Sequence, residues 1–323
     1  MSHKLEIAAD GSASFAYRES KGRAWHRLGS PVGDNLTPRQ IQKVARADFT
    51  VAKFDTFANW VDADGLVHAV PTGRQALVRT DTGKVLTECG KGWNPVQNDE
   101  AFDFFAEFVS KGDMVMDTAG VLKDGQIVWA LADVKDGFEI LGGDKVNGYL
   151  LFSNPHKYGQ TVDIKFVMER VVCNNTLAVA LNEKGQPSVR INHRRKFDAD
   201  SVKKILGIGH NKTEKFKAAA EFLASKRYNK DVIDTFIGEV FGRSEKDNGL
   251  TRTGDQAVAL IENQPGAEFA PGTFWNLFNV VSYMTDNVMG REDGTRLESA
   301  VFGTNAKKKL QALDLAVEMA NAA

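Results

Sequence analysis

The sequence predicts an α+β fold: an antiparallel β-meander sheet packed by helices, with a helix-β-β-β-helix core, followed by a mainly helical C-terminal half. Three observations predict it. Short runs rich in β-branched and aromatic residues fill most of residues 49–168. Turn signals separate them: Asp62-Ala63-Asp64-Gly65, Asp81-Thr82-Gly83 and Lys123-Asp124-Gly125. From Asp200 onward the apolar spacing changes to period 3.6. The chain divides accordingly into a flexible N-terminal arm (1–20), an α+β sheet core (21–192) and a mainly helical region packed on that core (193–323).

The elements follow in order. Thr37-Pro38-Arg39-Gln40 is a helix start, with Thr37 as cap, Pro38 at the first helical position and Gln40 closing a capping box. Ile41, Val44 and Ala45 give that short helix its apolar stripe. Strands are expected over Phe49–Val61, over Leu66–Val70 and Gln75–Arg79 with a break at Pro71 and Gly73, and over Lys84–Cys89. Asn98 caps a helix with Asp99 and Glu100 in its first turn, where they suit the helix dipole. Its Phe102, Phe105 and Val109 form a core face, widened by Phe104 and Phe108.

Strands resume over Met114–Leu122, Gln126–Asp133, Gly148–Ser153, Thr161–Met168 and Ser188–Asn192. Between two of them, Asn154–Gly159 reads as a hairpin tip bearing His156, Lys157 and Tyr158. In Arg170–Leu181, Asn175 or Thr176 is expected to cap a helix where the sheet gives way to the helical half, with Cys173 a small buried residue. Further helices are expected over Val232–Phe241, from a Thr273 cap to Gly290, and over Lys307–Met319, with Arg243–Gly254 a polar loop.

Composition bounds the function. With 42 % hydrophobic and 26 % charged residues in 323, the chain reads as an ordinary soluble protein. No run approaches 18 apolar residues, so no membrane span is expected, and the N-terminus lacks the apolar stretch of a signal peptide. Two cysteines, Cys89 and Cys173, make no disulfide framework and no Cys-x-x-Cys metal pair, which fits reduced thiols in the cytoplasm. No cofactor is expected. The net charge of −1 hides an asymmetry: residues 190–230 hold twelve Lys or Arg against four Asp or Glu. A basic segment on a near-neutral chain is either a polyanion-binding face or a solvated helical surface.

Catalytic motifs are missing from the sequence. There is no G-x-S-x-G and no H-E-x-x-H, and no two of the six histidines sit at helical metal spacing. Gly303-Thr304-Asn305-Ala306-Lys307 places amides and lysines at a helix start, a weak candidate for phosphate contact.

Several short elements together resemble the phage- and plasmid-associated family called domain of unknown function 932. They are Trp25-His26-x-Leu28-Gly29, Asn94-Pro95-Val96-Gln97-Asn98, Arg170-x-x-Cys173-x-Asn175-Thr176, Val189-Arg190-Ile191-x-His193, Thr273-x-Trp275-x-x-x-Asn279-x-x-x-Tyr283 and Phe302-Gly303. The family often carries His-Asp-Gly where this chain has His156-Lys157-Tyr158. The resemblance implies a role beside the replication and recombination genes of mobile elements. The helix, three-stranded meander, helix order is also similar to the core of ring-forming single-strand annealing proteins.

The expectation that follows is a non-catalytic, single-stranded DNA-binding protein of the annealing type, acting as a homo-oligomer, with a ring as one form. Lys91, Lys157, Arg170, Arg190, Arg194, Arg195 and Lys196 are the expected phosphate contacts, with Trp93 and Tyr158 stacking on bases. Arg170 is equally open to an internal ion pair. Two other classes remain as alternatives: a metal-dependent enzyme acting on nucleic acid or nucleotides, and a protein-binding module for host takeover or counter-defence.

Overall fold

The computed structural model describes residues 6–7, 10–21, 29–110, 114–135, 137–140, 143–170, 175–178, 188–191, 214–290, 299 and 303–323. It is a mixed α/β structure with two antiparallel-dominated sheets and helices concentrated in the C-terminal half.

The smaller sheet is the expected meander: β3 (Val51–Val61), β4 (Val67–Arg79) and β5 (Lys84–Cys89), in that order. It lies in the chain between α1 (Pro38–Val44) and α2 (Asn98–Ser110). The Thr37 capping box forms as its spacing dictates: Gln40 N–H donates to Thr37 Oγ1 (3.3 Å) and Thr37 N–H to Gln40 Oε1 (2.8 Å). Arg39 then grips Asp103 of α2 through two bonds of 2.7 Å, tying the two helices together.

Among the described residues the larger sheet has nine strands. Its main order is β11 (Asn175–Ala178), β10 (Val162–Arg170), β9 (Asp144–Pro155), β7 (Ile127–Asp133), β6 (Val115–Leu122), β1 (Phe15–Arg18) and β2 (Ser30–Val32). β12 (Ser188–Ile191) pairs with the first half of β10, and β8 (Phe138–Ile140) with β9. Along β9 the burial alternates between two cores. Leu150 and Phe152 face α1 and α2 with the base of the smaller sheet, while Tyr149 and Leu151 face Phe15, Tyr17 and Trp129. Period-two apolar residues with both faces buried mark a central strand.

The helical half comprises a helix over 214–225 (α3), then α4 (Lys230–Phe241), α5 (Arg252–Leu260), α6 (Phe274–Tyr283) and α7 (Thr304–Ala322). They form a second core around Trp275, Phe278, Phe216 and Phe236, which reaches the sheet through Val146 and Met168. Trp275 Nε1 donates to the buried Asp144 of β9 (2.9 Å), so the indole is both apolar filler and polar latch. No helix among the described residues is long and apolar enough to cross a membrane.

Four expectations need correction. The arm expected over 1–20 contains β1, whose residues Phe15–Arg18 are all buried. Pairing with β6 and β2 fills their backbone groups, and two aromatics supply the burial. The break expected at Pro71 and Gly73 is a bulge inside one 13-residue strand. Pro71 lies beyond the part of β4 that β5 pairs, where a missing N–H is tolerated, and Gly73 supplies a positive φ of 75°. Asn175 and Thr176 cap no helix: they belong to β11, which folds back on β10 in the register Arg170↔Asn175. The loop expected over Arg243–Gly254 closes early at the Arg243↔Leu250 bridge, and Thr251 then caps α5.

Candidate nucleic-acid interface

Two loops meet at one end of the molecule. The first follows β5 and runs from Gly90 to Trp93. The second is the β9–β10 tip, Lys157–Gly159. A buried amide network sets both in place. Asn98, at the start of α2, donates through Nδ2 to Phe49 O (3.0 Å), which fixes its amide orientation. Its Oδ1 then accepts from Asn154 Nδ2 (3.2 Å) and from His156 Nε2 (2.8 Å). An amide oxygen only accepts, so His156 carries a proton on Nε2. Asn154 Nδ2 also donates to Val96 O (2.9 Å). The Asn94–Asn98 motif therefore staples the smaller sheet to β9. Gln97 adds a clamp on the β3 edge, accepting from Val51 N and donating to Val51 O.

Replacing Asn98 by alanine leaves these buried groups without their partner. The expected cost is about 1–3 kcal/mol, read as a lower urea midpoint with an unchanged slope.

On this scaffold the tip turns through Gly159, which has φ 85°. Tyr158 N–H donates to Thr87 Oγ1 of β5 (3.3 Å), and the Tyr158 ring meets Trp93 edge-on at 6.4 Å. Arg74 of β4 places its guanidinium carbon 5.6 Å from the centre of the Tyr158 ring. Lys53 Nζ donates to both Lys91 O and Trp93 O (2.9 Å each) and so holds the other loop. Tyr158 is 40 % exposed, and Lys91 and Lys157 are exposed beside it. One acid, Glu88, stands 3.7 Å from Arg74.

The structure thus brings together four of the nine expected contact residues: Lys91, Trp93, Lys157 and Tyr158. Trp93 needs correction in its role. It is only 4 % exposed, so it offers no face to a base and instead forms the wall behind Tyr158. His156, expected on the tip, is fully buried and packs edge-on against Phe49. Arg190 and Arg170 do not share one place. Arg190 pairs in register with Asp163 at the tip end of β10, whereas Arg170 lies seven residues on, roughly 23 Å along the strand. Arg194, Arg195 and Lys196 lie outside the described residues, as does Cys173.

Arg74 and Lys53 are the additions. No motif announces either: only the ladder registers, which set Gln75 opposite Cys89 and Lys53 opposite Leu77, carry β4 and β3 to this corner.

The other candidate chemistry is weaker. Cys89 is fully buried, and that burial pushes its thiol pKa up, which disfavours the reactive thiolate. At the start of α7, Asn305 turns inward to donate to Thr285 O (2.9 Å). Lys308 bonds Val240 O, and burial pulls its pKa down. Lys309 is wholly buried against Asp286 (2.7 Å). Of the three lysines expected to welcome an anion there, only Lys307 stays exposed. Among the described residues no three His, Cys, Asp or Glu side chains gather as metal ligands.

A family model described as "Domain of unknown function (DUF932)" matches residues 85–313. The match begins in β5 and ends in α7, so it covers the contact loops, the larger sheet from β6 onward and the helical half, and it omits the β3–β4 ribbon. No curated protein and no solved structure matches the chain. With more than two thirds of its length matched, the chain belongs to the DUF932 family.

Proposed function

We propose that the protein binds single-stranded DNA at the corner formed by the Gly90–Trp93 loop and the β9–β10 tip, and that it acts as an annealing-type recombination protein of a phage or mobile element. One observation carries the reading: a half-exposed tyrosine ring, walled by a buried tryptophan and steadied by Arg74, flanked by two exposed lysines. Aromatic faces stack on any base, and lysines attract the backbone, so this chemistry favours single strands without sequence preference. Arg190 sits at the same end of β10 in register, and the basic stretch 190–230 follows it in sequence. Oligomerisation then lengthens the track along which bases are held open for pairing.

The test is a titration of a labelled oligothymidylate. Tyr158→Ala is expected to weaken binding by about 1–3 kcal/mol, the worth of one stacked base. Lys91→Ala and Lys157→Ala are each expected to lower the salt slope by about 0.7. If Tyr158→Ala and the lysine variants bind as tightly as the wild type, the interface is elsewhere and the reading fails.

A further inference from the structure

We infer that a cleft between α4, α5 and the loop before α6 binds a free nucleobase or nucleoside that carries an amino group beside a ring nitrogen. The cleft is about 730 Å³, within the usual size range of small-molecule sites. Lys230 and Ile233 of α4 form one wall, and Val258 of α5 with Glu262 just after it forms another. The loop is held in a fixed shape. Gly266 and Gly272 turn it with φ of 77° and 70°. Tyr228 N–H donates to Gly272 O (3.2 Å), and Arg227 bridges to Thr273. Thr273 then caps α6 by accepting from Asn276 N–H (3.4 Å), which sets Asn276 in the first turn of that helix.

Asn276 is the deciding residue. It lines the cleft yet is only 4 % exposed, so it belongs to the floor. Gln264 Nε2 donates to the backbone oxygen of Asn276 (3.0 Å), which can only accept, so the Gln264 amide has one orientation. The same Nε2 meets the Asn276 side chain at 2.6 Å, and that atom is therefore Oδ1. Asn276 Nδ2 then has no acceptor among the described residues. Buried amides are normally satisfied, and this one keeps its N–H for the cleft.

The floor thus offers a donor and calls for an acceptor. The rim carries Glu262 and Glu268 against one cation, Lys230, and so favours a donor. Between floor and rim lie Ile233, Ile261 and Val258, the last 37 % exposed as an open apolar wall. The Tyr228 ring, set edge-on against Phe274 (6.1 Å), adds an aromatic surface. Burial pushes the Tyr228 phenol pKa up and the Glu262 carboxylate adds to it, so the hydroxyl keeps its proton. A flat ring with an acceptor nitrogen beside an exocyclic amine meets all three demands, and adenine and cytosine are of this class. The excess of acid at the rim disfavours the phosphates of a nucleotide or a strand.

No residue of the cleft belongs to the DNA corner, so the inference does not rest on that reading. Isothermal titration of the full chain with cytidine and with adenosine is expected to show saturable binding. Uridine and inosine, which carry a carbonyl in place of the amine, are expected to bind at least about tenfold more weakly. Asn276→Asp keeps Oδ1 for Gln264 but replaces the donor by an acceptor, and is expected to lose at least about tenfold in cytidine affinity. Ala259→Trp, on the exposed wall, is expected to block the cleft with the thermal midpoint unchanged, which keeps the test open should Asn276→Asp not fold. Failure of both cytidine and adenosine to bind the wild type overturns the inference. Equal affinity for uridine and inosine, or binding that survives Ala259→Trp, overturns it also. Cytidine monophosphate or oligodeoxycytidylate binding more tightly than cytidine, and losing that binding in Ala259→Trp, would make the ligand a phosphate-bearing one and overturn it as well.

Discussion

Lys309→Ala is expected to destabilise the protein by about 3–5 kcal/mol, a large share of a domain's total stability. The ammonium has no solvent exposure and sits 2.7 Å from Asp286, whose side chain is 9 % exposed. The pair closes the wide turn that ends α6, where Met289 N–H reaches back five residues to Met284 O (2.7 Å). Removing the lysine takes away the buried cation that faces the Asp286 carboxylate at 2.7 Å. Lys309→Met keeps most of the stem volume but removes the same countercharge, so it is expected to lose nearly as much. Combining Lys309→Met with Asp286→Leu removes both charges and is expected to recover most of the loss. Urea unfolding of the three variants checks the ordering. A double variant no better than either single one would show that the pair's packing, rather than its charge, carries the effect.

Phe152→Ala is expected to cost about 3–5 kcal/mol. Phe152 lies in β9 between Ala130 of β7 and Ile164 of β10, and is fully buried. Its ring packs against Phe104 (6.5 Å) and edge-on against Phe105 (6.1 Å). Two small or branched neighbours in the sheet and two rings from α2 leave nothing able to collapse into the space. Phe152→Leu, which retains most of the volume, is expected to lose clearly less. Thermal unfolding that ranks the leucine variant equal to the alanine one would mean that the cavity does not set the cost.

The order helix, meander, helix was legible because each element carries its own local signal. The Thr37 box and the Asp-Gly turns work within a few residues, and the structure uses them as written; α2 does start at Asn98, but that side chain, read as a cap, bonds Phe49 O, Asn154 and His156 instead. Misreadings arose where tertiary pairing overrides local preference. Pro71 and Gly73 looked like a strand end because a bulge with one open edge has the same residues. β1 looked like an arm because four residues are too few to show a period. Asn175 and Thr176 have cap chemistry, yet pairing with β10 takes them.

At the candidate site, Lys91, Lys157 and Tyr158 were legible as polar turn residues between strands. Trp93 was legible only as an aromatic. Whether its ring faces water or Tyr158 depends on two loops that are 65 residues apart in sequence and meet through a strand register. Arg74 was hidden for the same reason.

Exposed cations and one tyrosine at this corner are proposed to bind single strands. The most direct measurement is fluorescence anisotropy of a labelled oligothymidylate titrated with the full chain across a salt series. Saturable binding is expected at low salt, tighter than for a duplex of equal length. A log–log salt slope of roughly −0.7 for each phosphate neutralised is also expected. Absence of binding at low salt, or an affinity indifferent to salt, would contradict the proposal.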